Sequence, residues 1–282
     1  MLHLMDQVCL PGKLPCEDAA GWGNNFLFVL DGASGLTGTQ IMGTGSDAAW
    51  FASGVRDGLC RRLADGGETA PLLAEILAGL RRDYEAKAAS EGIPIPSDAP
   101  SAGLALFREV GEEIEFFGLG DCVGVAELAG GGLAWSCDSQ LPALDGGVLS
   151  RMAEIHRDTG VSVLEARQQC QELLVKNRAM RNVPGGYWIL DLSALGLPHA
   201  RVMRWKRREV VSLSAFSDGF GQLVDPFRFF PGYEALHRAM GQMPLQTLAD
   251  RLFQAQEEDP QANRFPRFKL RDDTCALWAR VE

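Results

Sequence analysis

Acidic residues stand at the ends of short apolar runs at several points in this chain. These acids are Asp31 after residues 26–30, Asp121 after 116–120, Asp218 after 213–217, and the pair Asp272-Asp273 before the apolar run 275–281. A carboxylate at the end of a buried strand costs free energy unless it is paired or bound to a metal ion. Together with Glu17-Asp18, the repeated pattern predicts acids that converge on shared divalent cations.

The residues around these acids indicate which cations they suit. Asp31 and Asp218 are each followed by glycine, which lets the backbone approach a ligand closely, so the Gly32 carbonyl is a candidate ligand. Carboxylates, carbonyls and water suit Mg²⁺ or Mn²⁺, whereas zinc prefers histidine and cysteine. The four histidines show no metal-ligand spacing. Two hard cations about 4 Å apart can acidify a water molecule and polarise a phosphoryl group together.

Each of these motifs also has an ordinary structural explanation. An Asp-Gly pair after a strand is more often a turn former than a ligand. Asp121 alone could cap a turn, Asp272-Asp273 could lie in a solvated loop, and Glu17-Asp18 could begin a surface turn. Their occurrence together, in one order, favours the metal site.

Composition argues against several other classes of protein. The formal net charge of −10 leaves no excess of lysine and arginine to neutralise the phosphates of a nucleic acid. No apolar run is long enough to span a membrane, and the N-terminus lacks a signal-peptide pattern. The seven cysteines include no C-x-x-C pair, which predicts reduced thiols in a cytoplasmic protein.

Hydrophobic periodicity predicts an α+β fold in which sheets are layered between helices. The predicted strands are residues 26–31, 102–110, 113–120, 122–129, 187–190, 200–205 and 209–217, with a last strand after residue 273. The predicted helices are residues 43–66, 69–90, 232–240 and 245–257, with a helical, polar stretch from 141 to 180. No repeat or composition break marks a second domain, so residues 1–282 are interpreted as one domain.

The ordered acids resemble the motifs of the metal-dependent serine/threonine protein phosphatases, the type 2C or PPM family, in its bacterial single-domain form. Cys16-Glu17-Asp18 is similar to the family's Asn-Glu-Asp motif, residues 31–35 to its Asp-Gly-x-Gly motif, and Gly120-Asp121-Cys122 to its Gly-Asp-Ser motif. Ser217-Asp218-Gly219 matches the Ser-Asp-Gly motif in full, and Asp272-Asp273-Thr274 resembles the closing Asp-Asn-x-Thr motif. The matches run from about residue 13 to the C-terminus.

The resemblance implies a fold and an activity. The fold is a four-layer α/β/β/α sandwich with two central, mainly antiparallel sheets and the metal site at one end. The activity is hydrolysis of phosphoserine and phosphothreonine by a metal-activated water at a dinuclear Mg²⁺ or Mn²⁺ centre. The implied partner is a phosphorylated protein, the substrate of a cognate serine/threonine kinase in a signalling pathway.

The resemblance also implies a role for each acid. Asp31 would bridge both cations, Asp218 and Asp272 would complete one site, and Asp273 is the alternative to Asp272. The second site would be completed by Glu17 and the Gly32 carbonyl. Asp18 would hold a metal-bound water, and Asp121 with Asp218 would form a weaker third cation site.

Two features depart from the family or vary within it. Four residues before the motif's glutamate the family usually has an arginine that binds the substrate phosphate, and here that position is Lys13. Lysine is a point charge and cannot make the bidentate contact of arginine. Residues 139–180 occupy the place of the family's variable flap, where the substrate is selected; we call them the flap-like segment.

Two other functions remain open at this stage. The chain could be an inactive pseudophosphatase that serves as a binding or regulatory module, for which Lys13 is the main support. It could also hydrolyse small phosphorylated molecules at the same metal centre. A thiolate phosphatase is disfavoured because no cysteine has an arginine six residues later, and the G-x-x-x-x-G-K-[ST] loop is absent.

Overall fold

Two antiparallel sheets form the centre of the protein in a computed structural model that describes residues 1–36, 38–43 and 45–282. The first sheet has the order β1 (Leu2–Leu10), β11 (Thr274–Val281), β10 (Val210–Phe216), β6 (Val123–Leu128) and β7 (Leu133–Ser136). The second has the order β2 (Asp18–Gly23), β3 (Phe26–Ala33), β4 (Ser101–Val110), β5 (Glu113–Leu119) and β9 (Arg201–Lys206). The two-residue strand β8 (Leu190–Asp191) pairs with the start of β4.

Strand β3 shows why an uninterrupted apolar sequence suits this architecture. Alternate side chains of a strand point to opposite faces of its sheet. Leu27 and Val29 pack between the two sheets, whereas Phe28 and Leu30 pack against helices on the outer face. Both faces of β3 are therefore covered, as its continuous apolar run predicts.

Helices cover the outer faces of both sheets, so the fold is the predicted four-layer α/β/β/α sandwich. Helices α1 (Asp47–Arg62) and α2 (Thr69–Glu91) cover the second sheet through side chains such as Phe51 and Leu77. Helices α7 (Tyr233–Met240) and α8 (Leu245–Glu257) cover the first sheet. The short helix α6 (Asp218–Gly221) directly follows β10. Among the described residues, none of the helices combines the length and apolarity needed to cross a bilayer.

The flap-like segment folds into three helices beside the sandwich: α3 (Gln140–Thr159), α4 (Val163–Gln169) and α5 (Gln171–Arg178). The chain breaks after α3 because Gly160 adopts a left-handed conformation and Ser162 begins α4 with a capping box. The three helices share a small apolar cluster, which includes Val148, Met152 and Val163 and also Ala262 from the chain after α8. The segment therefore has its own packing, separate from the core between the sheets.

The sequence prediction missed three strands and placed one helix start too early. The sequence pattern did not predict strand β2 because Gly21 and Gly23 are poor strand formers. Gly21 is nevertheless required, because a Cβ there would lie 2.3 Å from the ring of Phe28. Strands β1 and β7 were missed as well. The helix predicted from residue 43 begins at Asp47, and Thr44 lies outside the described residues.

Candidate metal centre

The predicted acids meet in one cavity of about 280 Å³ at one end of the sandwich. The predicted ligands that line it are Glu17, Asp31, Gly32, Asp121, Asp218 and Asp272. Strand pairing brings them together: Phe216, near the end of β10, pairs with Val123 of β6 and with Ala276 of β11. The segments that carry Asp121, Asp218 and Asp272 therefore reach the same edge of the first sheet.

The second sheet supplies the opposite wall. Asp18 and Asp31 face each other across the β2–β3 pair, and the buried Asp18 stands behind the cavity. The Gly32 amide donates to the Glu17 carbonyl at 3.1 Å, and a Cβ on Gly32 would lie 2.4 Å from that oxygen. Glycine is thus the residue that lets the Glu17 segment lie directly on the end of β3.

The neighbouring acids Asp272 and Asp273 have different surroundings. Asp273 is buried, and its carboxylate accepts hydrogen bonds from the Gly12 amide at 2.8 Å and the Glu17 amide at 2.7 Å. Asp272 lines the cavity and accepts from Lys269 Nζ at 2.7 Å. Asp273 therefore fastens the Gly12–Glu17 loop, and Asp272 is the member of the pair that is available to a cation.

Burial and mutual repulsion raise the pKa values of the clustered carboxyl groups. Burial, followed by the charges of Asp218 and Asp18, raises the pKa of Asp31 well above its usual range. Burial also raises the pKa of Asp18, which the Ser217 hydroxyl partly opposes, and burial with the charge of Asp218 raises that of Asp121. A cation among these groups would reverse the effect, because an adjacent positive charge favours the carboxylate form.

The chemical types of these residues fit a hard divalent cation, although their side chains do not yet point towards a common position. Asp18 Oδ2 is buried with no hydrogen-bond partner. The predicted ligands in the cavity would bind a metal ion through oxygen atoms. Glu17 Oε1 instead accepts from Ser34 Oγ at 2.6 Å and Ser46 Oγ at 2.5 Å. In the described ranges, no three His, Cys, Asp or Glu side chains already surround one point as metal ligands. Glu17 and Asp272 would turn from their present partners to bind one.

Four charged residues that line the cavity were not anticipated from the sequence: Asp145, Arg167, Arg178 and Lys269. Burial and then the charge of Asp218 raise the pKa of Asp145 to about 6, while Arg178 opposes the shift. Lys13, predicted to bind phosphate, is exposed and is not among the residues that line the cavity. No motif marks these four residues, because they reach the cavity only through the packing of the flap-like segment and of the loop before β11.

Comparison with solved structures agrees with this architecture over the whole chain. The catalytic domain of the serine/threonine protein phosphatase PstP, in complex with two manganese ions, aligns with a TM-score of 0.54 and 16% identity over 100% of this chain and 99% of that chain. Serine/threonine phosphatase Stp1 from Staphylococcus aureus gives 0.53 and 13% over 99% and 95%. PppA, a regulatory component of T6SS in Pseudomonas aeruginosa, gives 0.52 and 16% over 98% and 96%.

The chain has matches among solved structures but none in the comparisons by sequence. No family model matches the chain, and no curated protein matches its sequence. At such low identity the structural likeness establishes the fold, which is that of bacterial serine/threonine phosphatases. The fold implied by the ordered acids is therefore confirmed.

Proposed function

We propose that this chain is a metal-dependent phosphatase that hydrolyses phosphoserine and phosphothreonine in proteins, with residues 1–282 as one catalytic domain. The observation that carries the proposal is the convergence in one cavity of acids from five separate segments of the chain. They occur in the order of the phosphatase motifs, on a fold shared with serine/threonine phosphatases over their whole length. A role in signalling and a cytoplasmic location stay predictions.

The acids would together bind two Mg²⁺ or Mn²⁺ ions. Asp31 would contact both ions, with Asp218 and Asp272 completing one site and Glu17 and the Gly32 carbonyl the other. Asp121 with Asp218 would hold a weaker third ion. The two manganese ions of the PstP complex support this number and kind of cation. Bound cations would supply the positive charge that acidifies water and stabilises the phosphoryl oxygens.

The protein's own groups would orient water and substrate around that charge. Asp18, with one carboxylate oxygen lacking a partner, can accept a hydrogen bond from the attacking water. A cysteine nucleophile is disfavoured because Cys122, the cysteine next to Asp121, is fully buried in the core between the sheets. Water is therefore the nucleophile that this arrangement supports.

The substrate phosphate needs a positive partner from the chain itself. Lys13 was expected in this role from its position in the sequence, and it remains a candidate although it does not line the cavity. Arg167 and Arg178 line the cavity directly, and Arg167 Nε is buried without a hydrogen-bond partner. Lys269 is already paired with Asp272. The two arginines of the flap-like segment are thus the better-placed groups for a bidentate contact with phosphate.

The decisive experiment measures phosphate release from a phosphothreonine peptide and from a small aryl phosphate, with Mn²⁺, with Mg²⁺ and with EDTA. We expect hydrolysis of the peptide, its loss in EDTA, and its return when Mn²⁺ is added in excess. Full activity in EDTA, or a covalent phosphoenzyme trapped by rapid acid quench, would contradict the proposal. Hydrolysis of the aryl phosphate alone would favour small-molecule substrates, and inactivity despite metal binding would favour a pseudophosphatase.

A further inference from the structure

A second cavity of about 630 Å³ lies between α2, residues 92–100 and residues 175–195. It adjoins the cavity lined by Glu17, Asp31 and Asp218, which we call the metal cavity. We infer that the second cavity, which we call the side groove, binds the polypeptide that flanks the phosphorylated residue and seats one of its apolar side chains. The inference rests on the proposed function and extends it, because it says how the substrate protein is recognised. Its volume lies within the range of about 300–1,000 Å³ found for ligand sites.

The side groove collects apolar side chains that the fold leaves exposed. Leu195 is 61% exposed, Ile95 and Val175 are each 48% exposed, and Val183 is 40% exposed, and all four line the groove. They come from three separate segments, so a single irregular loop does not account for the patch. Exposed apolar residues that gather in one concave surface mark an interaction site.

The walls of the side groove are held in place by polar contacts between its segments. Arg181 donates to the Ala99 carbonyl at 2.6 Å and to the Ser97 carbonyl at 3.2 Å, and it pairs with Asp191 at 3.5 Å. The Leu36 amide donates to Asp98 at 2.6 Å. These contacts join the 97–99 loop to the two segments beside it. The groove is therefore formed before a ligand arrives, which lowers the entropic cost of binding.

The position of the side groove identifies its occupant. Leu36 and Arg178 line both the groove and the metal cavity, so the two spaces adjoin at these residues. A phosphoprotein whose phosphoryl group enters the metal cavity can pass its flanking chain over this border. An extended chain advances about 3.3 Å per residue. Side chains a few residues from the phosphorylated one would therefore reach the exposed apolar patch.

Charge along the side groove agrees with a polypeptide ligand. Arg81 and Arg181 are already paired with Glu85 and Asp191. In the described part of the chain, no hydrogen bond or ion pair engages the guanidinium of Arg178. That group, proposed above as a contact for the substrate phosphate, stands at the border between the two cavities. The groove thus offers apolar contact along its length and adjoins the phosphate contact at its inner end.

The test compares two substrates in variants that place a charge in the side groove. Val175→Asp and Leu195→Asp change exposed residues, and Val202→Asp is the matched control because Val202 is 49% exposed and lies outside the groove. We expect kcat/KM for a leucine-flanked phosphothreonine peptide to fall about tenfold in the groove variants. For a small aryl phosphate it should stay within about twofold of wild type. Val175→Leu should retain peptide activity, and Val202→Asp should behave as wild type.

The possible results test the side-groove proposal and the proposed function independently. The groove proposal would be overturned if kcat/KM for the peptide were unchanged in both groove variants. It would also be overturned if kcat/KM fell equally for peptide and aryl phosphate while the melting temperature stayed the same. If the wild-type protein hydrolyses neither substrate, the phosphatase proposal fails, and the groove is judged by fluorescence anisotropy of the same labelled peptide. Binding about tenfold weaker to Val175→Asp than to Val202→Asp would then still support the groove, and equal binding would refute it.

Discussion

The two halves of the metal cavity are built in different ways. One half consists of carboxylates at the ends of strands, on Asp31, Asp121 and Asp218, and the backbone pairing of the two sheets fixes their positions. The other half comes from the flap-like segment, whose helices pack around a separate apolar cluster and contribute Asp145, Arg167 and Arg178. The sheet half is acidic, whereas the flap-like half supplies two arginines.

This difference suggests a division between chemistry and recognition. Carboxylates held by a rigid sandwich suit cations, whose positions must be exact. A helical segment with separate packing can change its sequence without disturbing the sheets, and such segments often select the ligand. We therefore expect substitutions in the sheet half to abolish activity and substitutions in the flap-like half to alter substrate affinity.

The largest effect is expected in the sheet half at Asp218. Asp218→Asn keeps the shape of the side chain but removes its charge, so cation binding should weaken and kcat should fall by at least about 100-fold. Steady-state kinetics in saturating Mn²⁺ measure the change, and Asp250→Asn on the exposed face of α8 is the control. Near wild-type hydrolysis by Asp218→Asn would show that this acid is not a ligand.

Neighbouring acids of the sheet half should separate into cation binding and stability. Asp272→Asn should raise the Kd for Mn²⁺ by about tenfold or more, measured by titration calorimetry, with little change in unfolding. Asp273→Asn should lower the free energy of unfolding by about 1–3 kcal/mol, because the Gly12 and Glu17 amides lose a charged acceptor. Urea unfolding in EDTA measures the second effect. The reverse result would make Asp273 the ligand and Asp272 the fastener.

Substitution of Arg178, in the flap-like half, should weaken substrate affinity more than substitution of Lys13 does. Arg178→Ala removes a cation that lines the cavity, so KM should rise about tenfold for peptide and aryl phosphate alike, with a smaller change in kcat. Lys13→Ala should raise KM less, and Lys13→Arg should preserve or improve binding. A larger effect from Lys13→Ala would return the role of phosphate contact to the N-terminal loop.

The smallest effect is expected far from the cavity, at His237 in the layer of α7. Burial lowers the pKa of His237 to about 4, while Glu127 opposes the shift and Arg238 reinforces it. The ring lies between the hydroxyl groups of Ser212 and Ser214, at 2.9 and 2.8 Å. The unfolded chain therefore binds a proton below about pH 6.5 that the folded protein does not bind.

Stability should consequently fall as the pH drops from about 6.5 towards 4, and the loss attributable to His237 should be about 1 kcal/mol between pH 6 and pH 5. Urea unfolding at a series of pH values measures it. The His237→Asn variant is less stable at neutral pH but should lack this part of the dependence. An identical pH dependence in the variant would show that His237 is not responsible.

The sheet half could be predicted from the sequence, whereas the flap-like half could not. Apolar runs that end in acids indicate where a strand ends, so the convergence of Asp31, Asp121 and Asp218 could be predicted from the pattern. Their place at one end of a sandwich was implied by the resemblance to the phosphatase family. Strand β2 was missed because its glycines carry no strand signal, and their purpose appears only when Gly21 meets the ring of Phe28. Arg178 was missed because helical periodicity does not report which face of a surface helix meets a distant cavity.

Strand β11 has a consequence for the synthesis of the protein. It lies between β1 and β10, and Leu2 pairs with Val281 near the other end of the chain. Within the first sheet, β1 pairs only with β11 in the described residues, so a growing chain carries an unpaired edge until residues 274–281 emerge. Asp272 also joins the cavity at that late stage. The candidate cation site thus cannot form before residues 272–281 are made, and a nascent chain that stalls earlier should be prone to aggregate.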